Sequence, residues 1–301
     1  MLVTGATGYV AGWIVRRLLE KGITVHAAVR DPANREKCGP LEALAAELPG
    51  KLRLFAADLL EEGSYAEAMD GCTVVFHTAS PFLMRFKDPR KELVEPALEG
   101  TRNVLREAGR AGTVRRVVLT SSCAAVYGDN ADIRETAGEA FTEADWNTTS
   151  SLEHKPYSYS KTVAEQEAWK LAEGQDRWTL VTINPSLVLG PGIGGMTASG
   201  SFELMRDLGN GTLSMGVPFY PFGAVDVREV AEAHLRAGLD ESVASGRYIL
   251  SGHDTDLTEL ARILRDAFGG RFPLPRRILP KWLVWLAGPF VDASLPRRAI
   301  A

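Results

Sequence analysis

The stretch TGATGYVAG, residues 4–12, decides the fold of this 301-residue chain. It lies directly behind a short β-branched run, LVT (2–4), and opens the helical pattern 9–21, so its glycines occupy a strand-to-helix turn. Gly5 permits the tight turn, Gly8 lets the backbone approach a pyrophosphate, and the small Ala11 takes the third position, where helix and strand pack closely. Thr7, Tyr9 and Val10 complete the loop. Behind it, the helix N-terminus offers free N–H donors and the positive end of the helix dipole. The stretch predicts a dinucleotide site; the competing reading is a purely structural turn. The start at MLVTGATG, almost inside the first strand, suggests a trimmed N-terminus.

Outward from this turn, short apolar runs alternate with longer helical stretches. The runs are TVHAAV (24–29), LRLFAA (52–57), TVVFHT (73–78), RRVVLTSS (115–122) and WTLVTIN (178–184). Helical patterns fill 40–48, 64–70, 91–111 and 157–174 between them. Such alternation implies right-handed βαβ crossovers and a doubly wound, Rossmann-type parallel α/β sheet. After residue 184 the rhythm breaks into NPSLVLGPGIGGMTASGS and MGVPFYPFG, which read as loops. A helix over 226–239, a strand RYILS (247–251) and a helix near 256–268 follow. The expected division is a cofactor-binding domain over 1–184, rejoined by 225–239, and a smaller substrate lobe over 185–224 and 240–301.

Composition narrows the function classes. A hydrophobic content of 45% supports a large core, and a net charge of -4 lacks the basic footprint that nucleic acid requires. Cys38, Cys72 and Cys123 are scattered and odd in number, which points away from a disulfide framework and toward a reducing, cytoplasmic setting. The five histidines never fall at H-x-x-x-H spacing, so no metal is expected. The apolar stretch 278–291 is interrupted by Lys281 and two prolines; it reads as an amphipathic helix rather than a membrane span.

The second strand ends in AVRDP. NAD sites offer an acidic side chain here for the ribose hydroxyls, whereas a 2′-phosphate needs a cation. Val29 followed by Arg30, with Lys37 nearby, therefore favours NADP(H). The alternative is that Arg30 pairs on the surface with Asp31 or Glu36. Asp58 and Leu59 after the third strand should lie near the adenine, and Thr78, Ala79 and Ser80 after the fourth near the phosphates and ribose.

Chemistry is expected from YSYSK (157–161). Tyr157 and Lys161 are four apart and share one helix face, while Tyr159 points elsewhere. A free tyrosine has a pKa of about 10; a neighbouring ammonium would lower it toward working pH, making Tyr157 a proton donor tuned by Lys161. Ser122, in TSSCAAVYG (120–128), would stabilise charge developing on a carbonyl oxygen. Taken singly, each is an ordinary turn or surface residue.

Together, TGATGYVA, VRDP, ADL (57–59), HTASP (77–81), TSS, YSYSK with TVAEQEAW, and INPSLVLGP resemble the extended short-chain dehydrogenase/reductase superfamily. They are most similar to the branch of dihydroflavonol reductases, cinnamoyl-CoA reductases and related microbial aldehyde and ketone reductases. The resemblance implies NADPH-dependent carbonyl reduction by Ser122, Tyr157 and Lys161. It further implies that Pro185 and Val188 line the nicotinamide site and that Ser199 or Ser201 approaches the 2′-phosphate. Tyr127 stands where plant dihydroflavonol reductases carry an asparagine, and HKPYSYSK replaces the N-W-Y-x-Y of cinnamoyl-CoA reductases, so the microbial enzymes fit better. Family members continue past the point where this chain stops at Ala301.

The expected activity is reduction of a hydrophobic or aryl aldehyde or ketone by a monomer or homodimer. Pocket walls are expected from Phe82, Leu83, Cys123, Tyr127, Ile193, Phe202 and Tyr220. Rival readings on the same scaffold are a sugar-nucleotide epimerase or dehydratase, a hydroxysteroid dehydrogenase, and a non-catalytic NADP-sensing module.

Overall fold

The computed structural model describes residues 1–80, 86–136, 138–194 and 199–291; the predicted pocket residues Phe82 and Leu83 lie outside them. The first half runs β1 (Leu2–Thr4), α1 (Tyr9–Glu20), β2 (Thr24–Val29), α2 (Arg35–Glu47), β3 (Lys51–Ala56), α3 (Ala66–Met69), β4 (Val74–His77), α4 (Glu95–Arg110) and β5 (Arg116–Thr120). Then come α5 (Pro156–Glu173), β6 (Thr179–Pro185), β7 (Leu187–Leu189), α6 (Gly200–Gly209), β8 (Val217–Pro218), β9 (Phe222–Asp226) and α7 (Val227–Leu239). The last elements are β10 (Gly246–Leu250), β11 (His253–Thr255), α8 (Leu257–Phe268), β12 (Ile278–Leu279) and α9 (Lys281–Val291).

Seven strands form one sheet in the order β10-β6-β5-β4-β1-β2-β3, and every pairing is parallel. The strand order reverses at β1, whose neighbours are β2 and β4, and this switch point opens a crevice at the carboxyl ends of the strands. Strands such as β4, buried along its whole length, suit a sheet covered on both faces. α1 packs with α7, and α4 with α5. On α4 the buried positions Ala97, Gly100, Thr101, Val104, Leu105 and Ala108 recur at helical spacing, and the core below them includes Val75, Val117, Leu180 and Trp178. Full burial of one such leucine or valine contributes about 1.5–3 kcal/mol.

Two helix starts differ from the sequence pattern. α2 starts at Arg35 rather than 40 because Asn34 accepts the Lys37 N–H at 3.1 Å and so caps the first turn. A π-helical turn, Arg90–Val94, precedes α4, where Pro96 has no N–H to give the carbonyl four residues back.

The chain divides into two compact units, Met1–Ala198 with Val225–Leu250, and Ser199–Ala224 with Ser251–Ala301. This shifts the expected boundaries. Residues 246–250, read from the sequence as part of the smaller lobe, form the edge strand of the large sheet through β10 pairing with β6. The reason is apolar pattern continued by backbone pairing, which distance along the chain does not reveal. In the second unit, 200–209, whose first two residues the sequence reading placed in a loop and whose remainder it left unassigned, is helix α6, capped by Ser199. There β9 pairs antiparallel with β11, β8 pairs parallel with β12, and Leu208, Ala261 and Leu274 form a small core. Over 278–291, a two-residue strand precedes a helix that begins at Lys281. Among the described residues no helix is long and apolar enough to cross a membrane.

Candidate active site

The glycine turn joins β1 to α1. Gly5 sits at φ +60°, and a Cβ there would lie 3.1 Å from the Cα and Cβ of Ala79, so only glycine fits both the backbone and the space. The Gly8 N–H donates to the Gly5 carbonyl at 2.8 Å, and Gly8 starts α1 in extended conformation with no side-chain cap. The uncapped helix start leaves its donors for an anion, which is the arrangement a pyrophosphate needs. Ala11 is buried behind the turn. Tyr9 is also buried, and its hydroxyl donates to the Gly190 carbonyl at 2.8 Å, while Trp13 Nε1 donates to the Pro191 carbonyl at 2.7 Å. These bonds tie α1 to the loop after β7. Gly5→Ala is expected to weaken NADPH binding at least about tenfold and to lower stability by about 1–2 kcal/mol. Fluorescence titration and urea unfolding check this.

Thr4 connects this turn to the next strand end. Its Oγ1 accepts the N–H groups of Thr78 (3.1 Å) and Ala79 (3.0 Å) and donates to His77 Nδ1 (2.9 Å). Thr78 Oγ1 returns a hydrogen bond to the Thr4 carbonyl. The loop that carries Thr78, Ala79 and Ser80 is thereby fixed against the glycine turn. His77 is fully buried; burial, and then the nearby Lys161 charge, push its pKa down to about 3. His234, whose Nε2 accepts from Thr120 Oγ1 at 2.7 Å, is pushed down to about 4 by burial. Both imidazoles stay neutral in the folded protein at pH values where the unfolded chain, at the ordinary 6.5, takes up a proton. Their stabilisation is complete above 6.5 and is lost as pH falls toward 3–4. Between pH 7 and pH 5 each should cost about 2 kcal/mol, read as a falling urea midpoint. A midpoint that stays level over this range would contradict the burial of both rings.

At the end of β2, Arg30 is exposed and forms no ion pair among the described residues. Asp31 instead accepts the Ala33 N–H at 2.9 Å, and Arg35 pairs with Glu42 at 2.6 Å. Lys37 lies exposed in the first turn of α2. Past β3, Asp58 Oδ1 accepts the Leu60 N–H at 2.8 Å, and Asn103 Nδ2 of α4 donates to the Leu59 carbonyl at 3.1 Å. A Cβ on Gly100 would lie 2.4 Å from Leu59 Cγ, so the glycine lets α4 approach closely enough to hold this strand end.

Ser122, Tyr157 and Lys161 come together. Ser122 follows β5, and its Oγ accepts the Ala124 N–H at 3.1 Å as the cap of a short helical turn. Pro156 opens α5 and places Tyr157 and Lys161 one turn apart. The Ser122 hydroxyl hydrogen-bonds the Tyr157 phenol. The Lys161 ammonium lies 5.8 Å from the Tyr157 ring centroid and donates to Ser80 Oγ at 3.0 Å. The sequence reading has Lys161 lowering the tyrosine pKa; the structure shows the opposite direction. Burial pushes Tyr157 up to about 12, offset only by the Ser122 bond, and pulls Lys161 down to about 8 against the attraction of Glu165. Desolvation is the largest cause at both groups.

Lys155, just before α5, is left-handed (φ +51°), an uncommon state for a lysine. Its Nζ reaches Asp129 Oδ1 at 2.8 Å and the Gly128 carbonyl at 2.6 Å, and His154 Nε2 meets Asp129 Oδ2 at 2.8 Å. These contacts bind the start of α5 to the segment after Ser122.

The remaining predicted residues are dispersed. Pro185 is buried at the end of β6; Val188 lies in β7, and Ile193 faces Gly12. Tyr127 stacks on Phe141 at 4.5 Å between centroids. Cys123 is buried with Sγ 3.2 Å from the Asn184 carbonyl, and burial pushes its thiol up to about 12, so it backs the Ser122 turn as an inert group. Ser199, Ser201, Phe202 and Tyr220 belong to the second unit, and the Ser199 side chain accepts the Phe202 N–H at 3.4 Å. Thr4, His77, Asn184, Glu165 and Arg247, which the sequence reading did not single out, all contact the three central residues or their neighbours. Only Glu165 carried a signal, being four residues beyond Lys161 on the same helix face. Among the described residues no group of His, Cys, Asp or Glu could hold a metal ion.

The model of the NAD dependent epimerase/dehydratase family matches residues 1–248. A cinnamoyl-CoA reductase of Medicago truncatula is 42% identical over 269 residues, covering 88% of this chain and 80% of that protein. A dihydroflavonol 4-reductase of Zea mays is 38% identical over 287 residues, covering 92% and 76%. Among solved structures, the yeast methylglyoxal/isovaleraldehyde reductase complexed with NADPH superposes with a TM-score of 0.77 at 28% identity, covering 91% of this chain and 84% of the other. The chain therefore belongs to the NAD dependent epimerase/dehydratase family.

Proposed function

We propose that this member of the NAD dependent epimerase/dehydratase family reduces a hydrophobic or aryl aldehyde or ketone to its alcohol with NADPH. The observation that carries the reading is the juxtaposition of the Ser122 hydroxyl, the Tyr157 phenol and the Lys161 ammonium beside the loop of Ser80. The similarity to plant and yeast reductases supports the same class of reaction.

The residues fit the cofactor. Gly5, Thr7, Gly8 and the uncapped start of α1 at Tyr9 and Val10 would hold the pyrophosphate; Asp58 and Leu59 would flank the adenine. Arg30 and Lys37, exposed and without ion pairs among the described residues, would take the 2′-phosphate. Thr78, Ala79, Ser80 and Lys161 would hold the ribose side, and Pro185 and Val188 the nicotinamide side. When bound, NADPH supplies a hydride to the carbonyl carbon.

Ser122 Oγ–H orients the carbonyl oxygen and stabilises the negative charge that grows there. Tyr157 then gives its phenolic proton to that oxygen. A tyrosine held at about 12 is fully protonated at neutral pH, which is the form a reduction consumes. The Lys161 ammonium lies beside the phenolate left behind and stabilises it. The preference for a hydrophobic or aryl substrate follows from the apolar character of Tyr127, Ile193, Phe202 and Tyr220 as read from the sequence.

The test is NADPH oxidation against a panel of aryl aldehydes, aryl ketones and β-keto esters, run beside NADH. Turnover with NADPH is expected, and silence across the panel with NADPH still bound would overturn the reading. Arg30→Glu should raise the NADPH dissociation constant about 10- to 100-fold while leaving NADH within about threefold, because a charge-assisted bond is worth about 1.5–3 kcal/mol. Equal losses for both cofactors would remove Arg30 from the 2′-phosphate site.

A further inference from the structure

We infer that Glu165, through its buried pair with Arg247 and the amide of Asn184, is a positioning residue that holds the Ser122 turn in register with Tyr157 and Lys161. The inference rests on the catalytic reading above and names a group that neither the family match nor the similar proteins assign. Tyr157, Lys161 and Glu165 stand at successive i, i+4 positions on α5, so one helix face carries all three. Glu165 is fully buried and Arg247 of β10 nearly so, with Nε 2.7 Å from Glu165 Oε1. The same carboxylate accepts from Asn184 Nδ2 (2.7 Å), Thr182 Oγ1 (3.1 Å) and the Ser121 hydroxyl, and Trp169 Nε1 lies at 3.5 Å.

Four residues at the turn that presents the Ser122 hydroxyl, Ser121, Ser122, Cys123 and Ala125, are tied to this cluster. The Ser121 hydroxyl donates to Glu165, the Ser122 carbonyl accepts from Asn184 Nδ2 at 3.2 Å, and Cys123 Sγ meets the Asn184 carbonyl. The Ala125 carbonyl accepts from Arg247 at 3.3 Å. Arg247 also donates to the carbonyls of Glu143 (2.9 Å) and Asp145 and stacks 3.8 Å from the Trp146 ring centroid. Asn184 spends both N–H groups on Glu165 and Ser122 while its buried Oδ1 has no partner among the described residues. An orphaned acceptor costs stability, so the amide is oriented by its two donor bonds and not by its own best satisfaction.

The cluster also sets the field at Lys161. The titratable groups facing that ammonium are Glu165 and Tyr157 on its own helix and His77 on β4; Arg102 of α4 pairs with Glu167 on another face of α5. Arg247 and Cys123 face Glu165. His77 is neutral, leaving the Glu165 carboxylate as the negative charge that opposes loss of the Lys161 proton.

The experiment compares the full-length wild type, Tyr157→Phe, the double variant Glu165→Gln with Arg247→Met, and Asn184→Ala, all with NADPH. The double variant removes both charges together, which avoids stranding either one. Expected are a retained fold by circular dichroism, an NADPH dissociation constant within about twofold, and a kcat lowered about tenfold or more with little change in KM. The alkaline limb of its pH–rate profile should move acidward by about half a pH unit or more. Asn184→Ala keeps the ion pair, so it should lower kcat severalfold without moving that limb, and it remains informative if the double variant does not fold. Wild-type kcat and an unmoved limb in folded double variant, or wild-type kcat in Asn184→Ala, would overturn the inference while an inactive Tyr157→Phe leaves the catalytic reading standing. An active Tyr157→Phe would overturn both.

Discussion

Tyr157→Phe lowers kcat for NADPH-dependent carbonyl reduction by about a thousandfold, within the 10²–10⁴ range that a positioned acid contributes, and leaves the NADPH dissociation constant within about twofold. The substitution keeps the ring that stands 5.8 Å from the Lys161 ammonium and removes only the hydroxyl bonded to Ser122. The fold has little reason to change, since the lost bond joins two partly buried groups, Ser122 after β5 and Tyr157 at the head of α5. Rapid-mixing measurement of a single turnover, beside fluorescence titration of NADPH, separates chemistry from binding. A variant with undiminished turnover would show that another group delivers the proton. Full loss of NADPH binding would mean that the phenol holds the cofactor and not the substrate.

Arg247→Met alone lowers the unfolding free energy by about 3–5 kcal/mol, the second large effect expected. The arginine is 8% exposed and the Glu165 carboxylate it faces is 0% exposed, so removing the cation leaves a buried charge with only neutral donors. The carbonyls of Glu143 and Asp145 lose this donor in the same step, and that of Ala125 keeps only the Asn147 N–H. Lysine is no substitute, because the planar fork both stacks on Trp146 and divides its N–H groups among four acceptors. Urea unfolding reads the loss, and pairing the change with Glu165→Gln should recover most of it. A single variant within about 1 kcal/mol of wild type would place the ion pair in contact with water.

Much of the site was legible because its spacing is local. The turn at Gly5 and Gly8 and the i, i+4 pair of Tyr157 and Lys161 each fall within one element, where the periods of strand and helix turn sequence distance directly into geometry. The same periodicity located the strands of the large sheet from β1 to β6 within two residues at either end. Where a single turn residue governed the outcome, as Asn34 does for α2 or Ser199 for α6, a pattern of apolar residues missed it. The fate of 246–250 was hidden for another reason: an edge strand is defined by the strand it pairs with.

The direction of the Tyr157 shift marks the limit of local reasoning. Counting charges along the helix placed a cation beside the phenol and anticipated a lower pKa, yet desolvation depends on what the whole fold packs around the ring. Thr4 and His77 likewise meet across 73 residues, and Arg247 reaches Glu165 across 82. By itself, then, the sequence determined the parallel α/β class, the glycine turn, the cation at residue 30 and the tyrosine–lysine face, all encoded within a few residues of backbone. The tertiary structure alone decided which distant strand ends share a hydrogen bond and how much water each titrating group keeps, because both are set by the packing of the sheet and its helices.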